Sequence, residues 1–173
     1  MLYVLAFPKF ETTFTSSLAQ FRAKHEPERA QLVRPHITLV FGLPGLDAKA
    51  FADFCQDTLS VAKPVPLDFD RFTIEYDPFE EKHKLLLQCG RGHDEIVSLH
   101  QRIYSGPHCQ QFDHGQPYRP HMTIATNRDR ASIAQLNPSV IGELPIRGIL
   151  DIIELVSLNG GELKTLKSFP LSL

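Results

Sequence analysis

Apolar residues recur along the chain at two periods, and the switches between them mark out strands and helices. Residues 2–7, LYVLAF, form an apolar run stopped by Pro8, the mark of a buried strand. Over 13–25 the apolar positions Phe14, Leu18 and Phe21 fall at helical spacing, which predicts an amphipathic helix closed by Pro27. Residues 34–41 are β-branched and apolar and end at Gly42 and Pro44, which predicts a strand. Asp47 stands where a helix cap belongs, and Ala50, Phe51, Phe54, Cys55 and Leu59 make the stripe of a second helix running up to Pro64. Residues 65–76 and 85–89 read as two strands around a charged turn.

The second half repeats this order. Ile96, Leu99 and Ile103 stripe a helix over 94–104, residues 118–125 form a strand, and 128–136 a short helix with Asn127 as its cap. The apolar run 146–158, the turn Asn159-Gly160-Gly161 and the return 162–169 predict a closing hairpin. Mixed helices and hairpin-linked strands predict an α+β fold with mostly antiparallel sheets. No linker-like stretch separates the halves, so residues 1–173 are expected to form one domain of two similar, interleaved lobes, each contributing one motif strand.

Those motif strands carry the chemistry. RPHIT stands at 34–38 and RPHMT at 119–123, 85 positions apart. On a strand, side chains alternate faces, so Arg34, His36 and Thr38 share one face while Ile37 and Leu39 share the other. The same alternation sets Arg119, His121 and Thr123 against Met122 and Ile124. Pro35 and Pro120 each remove a ladder donor and hold the preceding arginine extended, which suits a strand's start or an edge. Lobes related by an approximate two-fold axis would turn the two polar strips toward each other across a central cleft. Two facing imidazoles suit phosphodiester chemistry without a metal: one ring takes a proton from the attacking oxygen and the other gives one to the leaving oxygen. Thr38 and Thr123 can donate to a phosphate oxygen, and Arg34 and Arg119 can add charge-assisted contacts.

Composition narrows the partner. With 18 basic and 20 acidic residues the chain carries a net charge of −2, which argues against coating a long nucleic acid but leaves room for one or two phosphates. Three cysteines, Cys55, Cys89 and Cys109, have neither CxxC spacing nor an even count, so neither a disulfide framework nor a cysteine zinc site is expected. A reducing cytoplasm is the simplest home for such a chain. The opening apolar run is too short for a membrane span. No phosphate loop, dinucleotide fingerprint or HExxH stretch occurs.

The segments PHITL and PHMTI resemble the paired His-x-Thr signatures of the 2H phosphoesterase superfamily, which includes bacterial 2′-5′ RNA ligase-like proteins and RNA 2′,3′-cyclic phosphodiesterases. The resemblance extends to the opening strand that ends in FP, the helix before the first motif and the closing ELVSLNGGELKTLKSFPL. It implies a bilobal, pseudo-two-fold α+β fold, His36 and His121 as the acid–base pair, and Thr38 and Thr123 on the phosphate. It also implies hydrolysis of 2′,3′-cyclic phosphates at RNA ends or on small nucleotides, usually to 2′-phosphates, and reversible 2′-5′ ligation in some members. No cofactor is implied. The resemblance suggests His121 as base and His36 as acid in hydrolysis; the residues themselves do not order the pair. Arg34 and Arg119 lie outside the family's signature, and their roles rest on the strand argument alone.

Blander readings stand beside these. Threonine favours strands anyway, and the arginines can simply pair with carboxylates. Tyr118 is a candidate for stacking a base, whereas Phe41 is expected in the core. His25, His83, His93 and His100 are assigned to solvated or off-stripe positions. His108, Cys109, Asp113 and His114 match no zinc spacing and are read as a polar connection. Two rival functions remain: a non-catalytic binder of RNA ends or nucleotide phosphates using the same cleft, and a metal-dependent hydrolase. The chain is expected to work as a monomer.

Overall fold

The computed structural model describes residues 1–106, 108–111 and 117–172. Its strands are β1 (Leu2–Phe10), β2 (Ile37–Leu43), β3 (Val65–Asp77), β4 (Lys82–Cys89), β5 (His121–Asn127), β6 (Ile146–Asn159) and β7 (Glu162–Pro170). Its helices are α1 (Thr12–His25), α2 (Pro27–Leu32), α3 (Ala48–Leu59), α4 (His93–Tyr104) and α5 (Arg130–Ala134), with short 3₁₀ turns at Cys109–Gln111 and Pro138–Ile141. The fold is α+β, with one antiparallel seven-stranded sheet.

The strand order β2-β1-β6-β3-β4-β5, with β7 on the free side of β6, carries the repeat into space. Exchanging β1, β2 and β3 for β4, β5 and β6 returns the same order read backwards. The helices obey the same exchange: α1, which leads to β2, packs on β5, while α4, which leads to β5, packs on β2. Each half of the chain therefore covers the motif strand of the other.

Register explains how the sheet opens. β3 pairs with β6 only from Val65↔Leu150 to Phe69↔Ile146, and from Ile152↔Pro170 onward that side of β6 is taken by β7. The arms β2-β1-β6 and β5-β4-β3 are therefore joined at one end and part at the other. Gly160 (φ 58°) and Gly161 (φ 83°) make the tight β6–β7 turn, in a backbone region costly for other residues. The main core lies between sheet and helices and includes Leu18, Leu39, Phe69, Ile96, Met122 and Ile124. A small apolar cluster of Leu5, Phe7 and Val156, with Val33 and Ile152 against it, sits apart from it.

Several local expectations are corrected. Pro27 does not end the helical region but starts α2, whose first turn has no use for the N–H that proline lacks. The helix expected over 128–136 is only Arg130–Ala134, and its cap is Asp129, which accepts from the N–H groups of Ala131 and Ser132. Asn127 instead accepts from the N–H of Asp129. The motif strands begin at Ile37 and His121, since the preceding prolines cannot donate to a ladder. Phe41 is half-exposed, not in the core. His100 and His108 are buried: one stacks on Tyr118, and the other packs edge-on to Phe51 and Phe54. Asp113 and His114 lie outside the described residues.

Candidate active site

The two motifs are alike well beyond their sequence. In both, the buried residue after the histidine (Ile37, Met122) backs onto the core, the threonine is half-buried, and two buried residues follow in succession. Those pairs, Leu39-Val40 and Ile124-Ala125, sit at register slips: Val4↔Val40 is followed by Leu5↔Thr38, and Leu85↔Ala125 by Leu86↔Thr123. A bulge of one extra residue therefore follows each threonine. It allows neighbouring aliphatic residues to be buried together while His and Thr keep one face.

The histidines are held by the same contact. His36 Nδ1 lies 2.9 Å from the carbonyl oxygen of Arg34, and His121 Nδ1 lies 2.7 Å from that of Arg119. A carbonyl can only accept, so each neutral ring carries its proton on Nδ1. Nε2 is then the basic atom of the neutral ring and the acidic N–H of the charged one. Both imidazoles are held below the ordinary histidine range. For His36, desolvation is the main cause and drives the pKa to about 4; the Arg34 carbonyl opposes it, while Arg29, Arg22 and His121 add repulsion. For His121, desolvation again leads, opposed by the Arg119 carbonyl and the Glu75 carboxylate, with Lys84 and Arg119 pushing down. β2 and β5 come into contact, and His121 is among the groups that act on His36.

The arginines repeat a pairing too. Arg34 Nη2 donates to Glu154 Oε1 on β6 at 2.5 Å, and Arg119 Nη2 donates to Glu75 Oε2 on β3 at 3.2 Å. Each reaches past the strand next to its own to a carboxylate on the second. What lies between differs. On β1, Phe7 packs against His36 at 6.0 Å between ring centroids and carries the Arg34 guanidinium 3.7 Å above its ring. On β4, Gln88 is the register partner of His121, and its amide donates to Thr73 Oγ1 at 2.8 Å and to Glu75 Oε1 at 3.3 Å. One histidine therefore stands beside an aromatic ring and the other beside a hydrogen-bonded amide.

Tyr118 is placed as a structural tie. Its hydroxyl donates to the carbonyl of Thr38 at 2.9 Å, and one ring face stacks on His100 at 3.7 Å, nearly parallel. His100 Nδ1 donates in turn to the carbonyl of Leu39 at 2.6 Å, and the N–H of Phe41 donates to Tyr104 at 3.2 Å. The outer edge of β2, which no strand covers, is thus satisfied by side chains of α4 and of the segment before β5.

Periodicity gave no notice of Glu75, Glu154 and Gln88. Their signal was a polar residue between two apolar neighbours: Ile74-Glu75-Tyr76, Leu87-Gln88-Cys89 and Ile153-Glu154-Leu155. Two surface depressions, of about 440 and 460 Å³, lie elsewhere, around Phe21 and Leu136 and around Pro64 and Arg102. Among the described residues no three metal-binding side chains converge, and no helix is long and apolar enough to cross a membrane.

A family model for the 2′-5′ RNA ligase superfamily matches residues 10–162. No curated protein matches the sequence. Among solved structures, LigT of E. coli in complex with 3′-AMP superposes with a TM-score of 0.67 at 18% identity, covering 99% of this chain and 98% of that one. LigT with NADP+ gives 0.66 at 17% identity, with the same coverage. A protein of Thermus thermophilus gives 0.63 at 15% identity, covering 98% of this chain and 97% of that one. At such identities the likeness speaks for the fold. With the family model spanning both motifs, the chain belongs to the 2′-5′ RNA ligase superfamily, the 2H phosphoesterases.

Proposed function

We propose that the protein hydrolyses 2′,3′-cyclic phosphates of RNA ends or small nucleotides to 2′-phosphates, with His36 and His121 as its acid–base pair and no metal. The observation that supports this reading is the matched locking of both rings through Nδ1, which leaves Nε2 of each ring for proton transfer. Water adds to phosphorus as its proton passes to one neutral imidazole. The P–O3′ bond breaks as the other imidazole, protonated, gives its proton to the departing oxygen. The family resemblance favours His121 as the base and His36 as the acid. In the free chain His36 is neutral at pH 7, and the ring takes up a proton from water as the substrate binds, because a phosphate anion beside it favours the charged form. Thr38 and Thr123 donate to the non-bridging oxygens. With an RNA 5′-hydroxyl attacking phosphorus in place of water, the same two proton transfers form a 2′-5′ linkage as the P–O3′ bond breaks, and the reverse cleaves it.

The test is turnover of a 2′,3′-cyclic mononucleotide and a cyclic-phosphate oligonucleotide in EDTA. His36→Ala and His121→Ala should each lower the rate about 10²- to 10⁴-fold. No turnover by the wild type, or full turnover in both variants, overturns the reading. Binding of a nucleotide 2′- or 3′-phosphate without any cleavage would assign the cleft to recognition alone. Turnover abolished by EDTA and restored by a divalent cation would assign the chemistry to a metal.

A further inference from the structure

Among the described residues, the five cations that lie in the motifs or act on the two histidines are Arg22, Arg29, Arg34, Lys84 and Arg119. Each of them already has a carboxylate. Arg22 holds Glu26 at 2.5 Å in the interior, and Arg29 pairs with Glu80 and lies 3.7 Å from Glu26. Lys84 sits between Asp77 at 2.5 Å and Glu80 at 2.7 Å. Arg34 pairs with Glu154, and Arg119 with Glu75. Five positive charges therefore meet five negative ones, and the two imidazoles add no charge because both are held neutral. A site built to grip a multiply charged phosphate would leave cations over; among the described residues none of these five is left over.

From this balance we infer that Glu75 and Glu154 make the site selective for a phosphate carrying a single negative charge, a diester, over the doubly charged terminal monoester. The inference rests on the proposed cyclic-phosphate chemistry and deepens it. The cost of removing an ion from water rises with the square of its charge, so the second charge of a monoester is the expensive one. Here it meets no unpaired cation. Donors suited to the first charge are present in the threonine hydroxyls and in whichever imidazole accepts a proton. A cyclic phosphate is a monoanion, and its hydrolysis product gains a second charge whose pKa is about 6. The same balance that admits the substrate therefore expels the product at neutral pH.

The experiment is equilibrium binding at pH 7.5 of adenosine 2′-monophosphate and of its methyl ester, which keeps the shape and removes one charge. The wild type should bind the methyl ester more tightly. Glu75→Gln and Glu154→Gln should each shift the ratio of the two dissociation constants toward the monoester by about three- to ten-fold, as expected of one partly screened charge at this range. Equal or tighter binding of the monoester by the wild type overturns the inference, as does a ratio unmoved in both variants. The wild-type comparison stands alone should a variant fail to fold. Cyclic-phosphate turnover, measured in parallel, separates the readings: turnover with the wrong ratio sinks the charge selectivity, and no turnover sinks the proposed reaction and this inference with it.

Discussion

The hydroxyl of Tyr118 donates to the main-chain carbonyl of Thr38 across 80 residues of sequence, so the segment that leads into one motif strand holds the backbone of the other. A side chain that belongs to neither motif therefore ties the two together. Tyr118→Phe keeps the ring stacked on His100 and removes only this bond. A buried hydrogen bond of this kind contributes about 1 kcal/mol, so the variant should remain folded with a modestly lower melting temperature. If this tie sets the spacing of the rings, kcat on a cyclic phosphate should fall more than KM rises. Unchanged kcat would show that the spacing is held elsewhere.

The low pKa of His36 makes stability depend on pH with a definite sign. The unfolded ring takes up a proton near pH 6.5, while the folded ring resists it down to about 4. Its contribution is thus fully present above pH 6.5 and is lost as pH falls from there toward 4. Urea unfolding at steps from pH 7.5 to 4.5 should show this decline, and His36→Ala should flatten it. A decline of equal size in the variant would place its cause in other groups.

Arg22 and Glu26 form an ion pair with almost no solvent contact, and Arg22 also donates to the carbonyl of Val33 at 3.0 Å. Desolvation raises the Glu26 pKa even with Arg22 and Arg29 beside it. Glu26→Gln leaves the guanidinium buried without its counter-charge, a change that typically costs about 3 to 5 kcal/mol. Chemical denaturation measures it. Because Val33 leads into the first motif, weaker activity should accompany the loss, whereas a cost below about 1 kcal/mol would mean that water reaches the pair.

The threonines are expected to act on the phosphate alone. Thr38→Val and Thr123→Val keep a β-branched shape on the same strands and remove one donor each. Each should lower kcat/KM on a cyclic phosphate by about ten- to a hundred-fold, in line with one lost hydrogen bond to a charged group. Thermal melts should change little. A large loss of stability with little loss of turnover would instead mark them as strand residues.

The chain's pattern announced the strands, the main helices, the Asp47 cap and the doubled motif, because each depends on neighbours a few residues away. Alternation on a strand placed Arg, His and Thr together, and the repeat half a chain apart pointed to two lobes related by an approximate two-fold axis. Long-range contacts decided the rest. Nothing local distinguishes a solvated His100 from one stacked on Tyr118 and bonded to Leu39, since those partners lie 18 and 61 residues away. Glu75 and Glu154 became partners of Arg119 and Arg34 only once the sheet had brought β3 beside β4 and β6 beside β1. The bulges after Thr38 and Thr123 likewise arise from pairing, as two strands fit unequal numbers of residues into one ladder. The histidines could be read from the chain because chemistry selects their type and spacing. Their pKa values, their tautomers and the charge balance around them arise from what tertiary packing sets beside each ring.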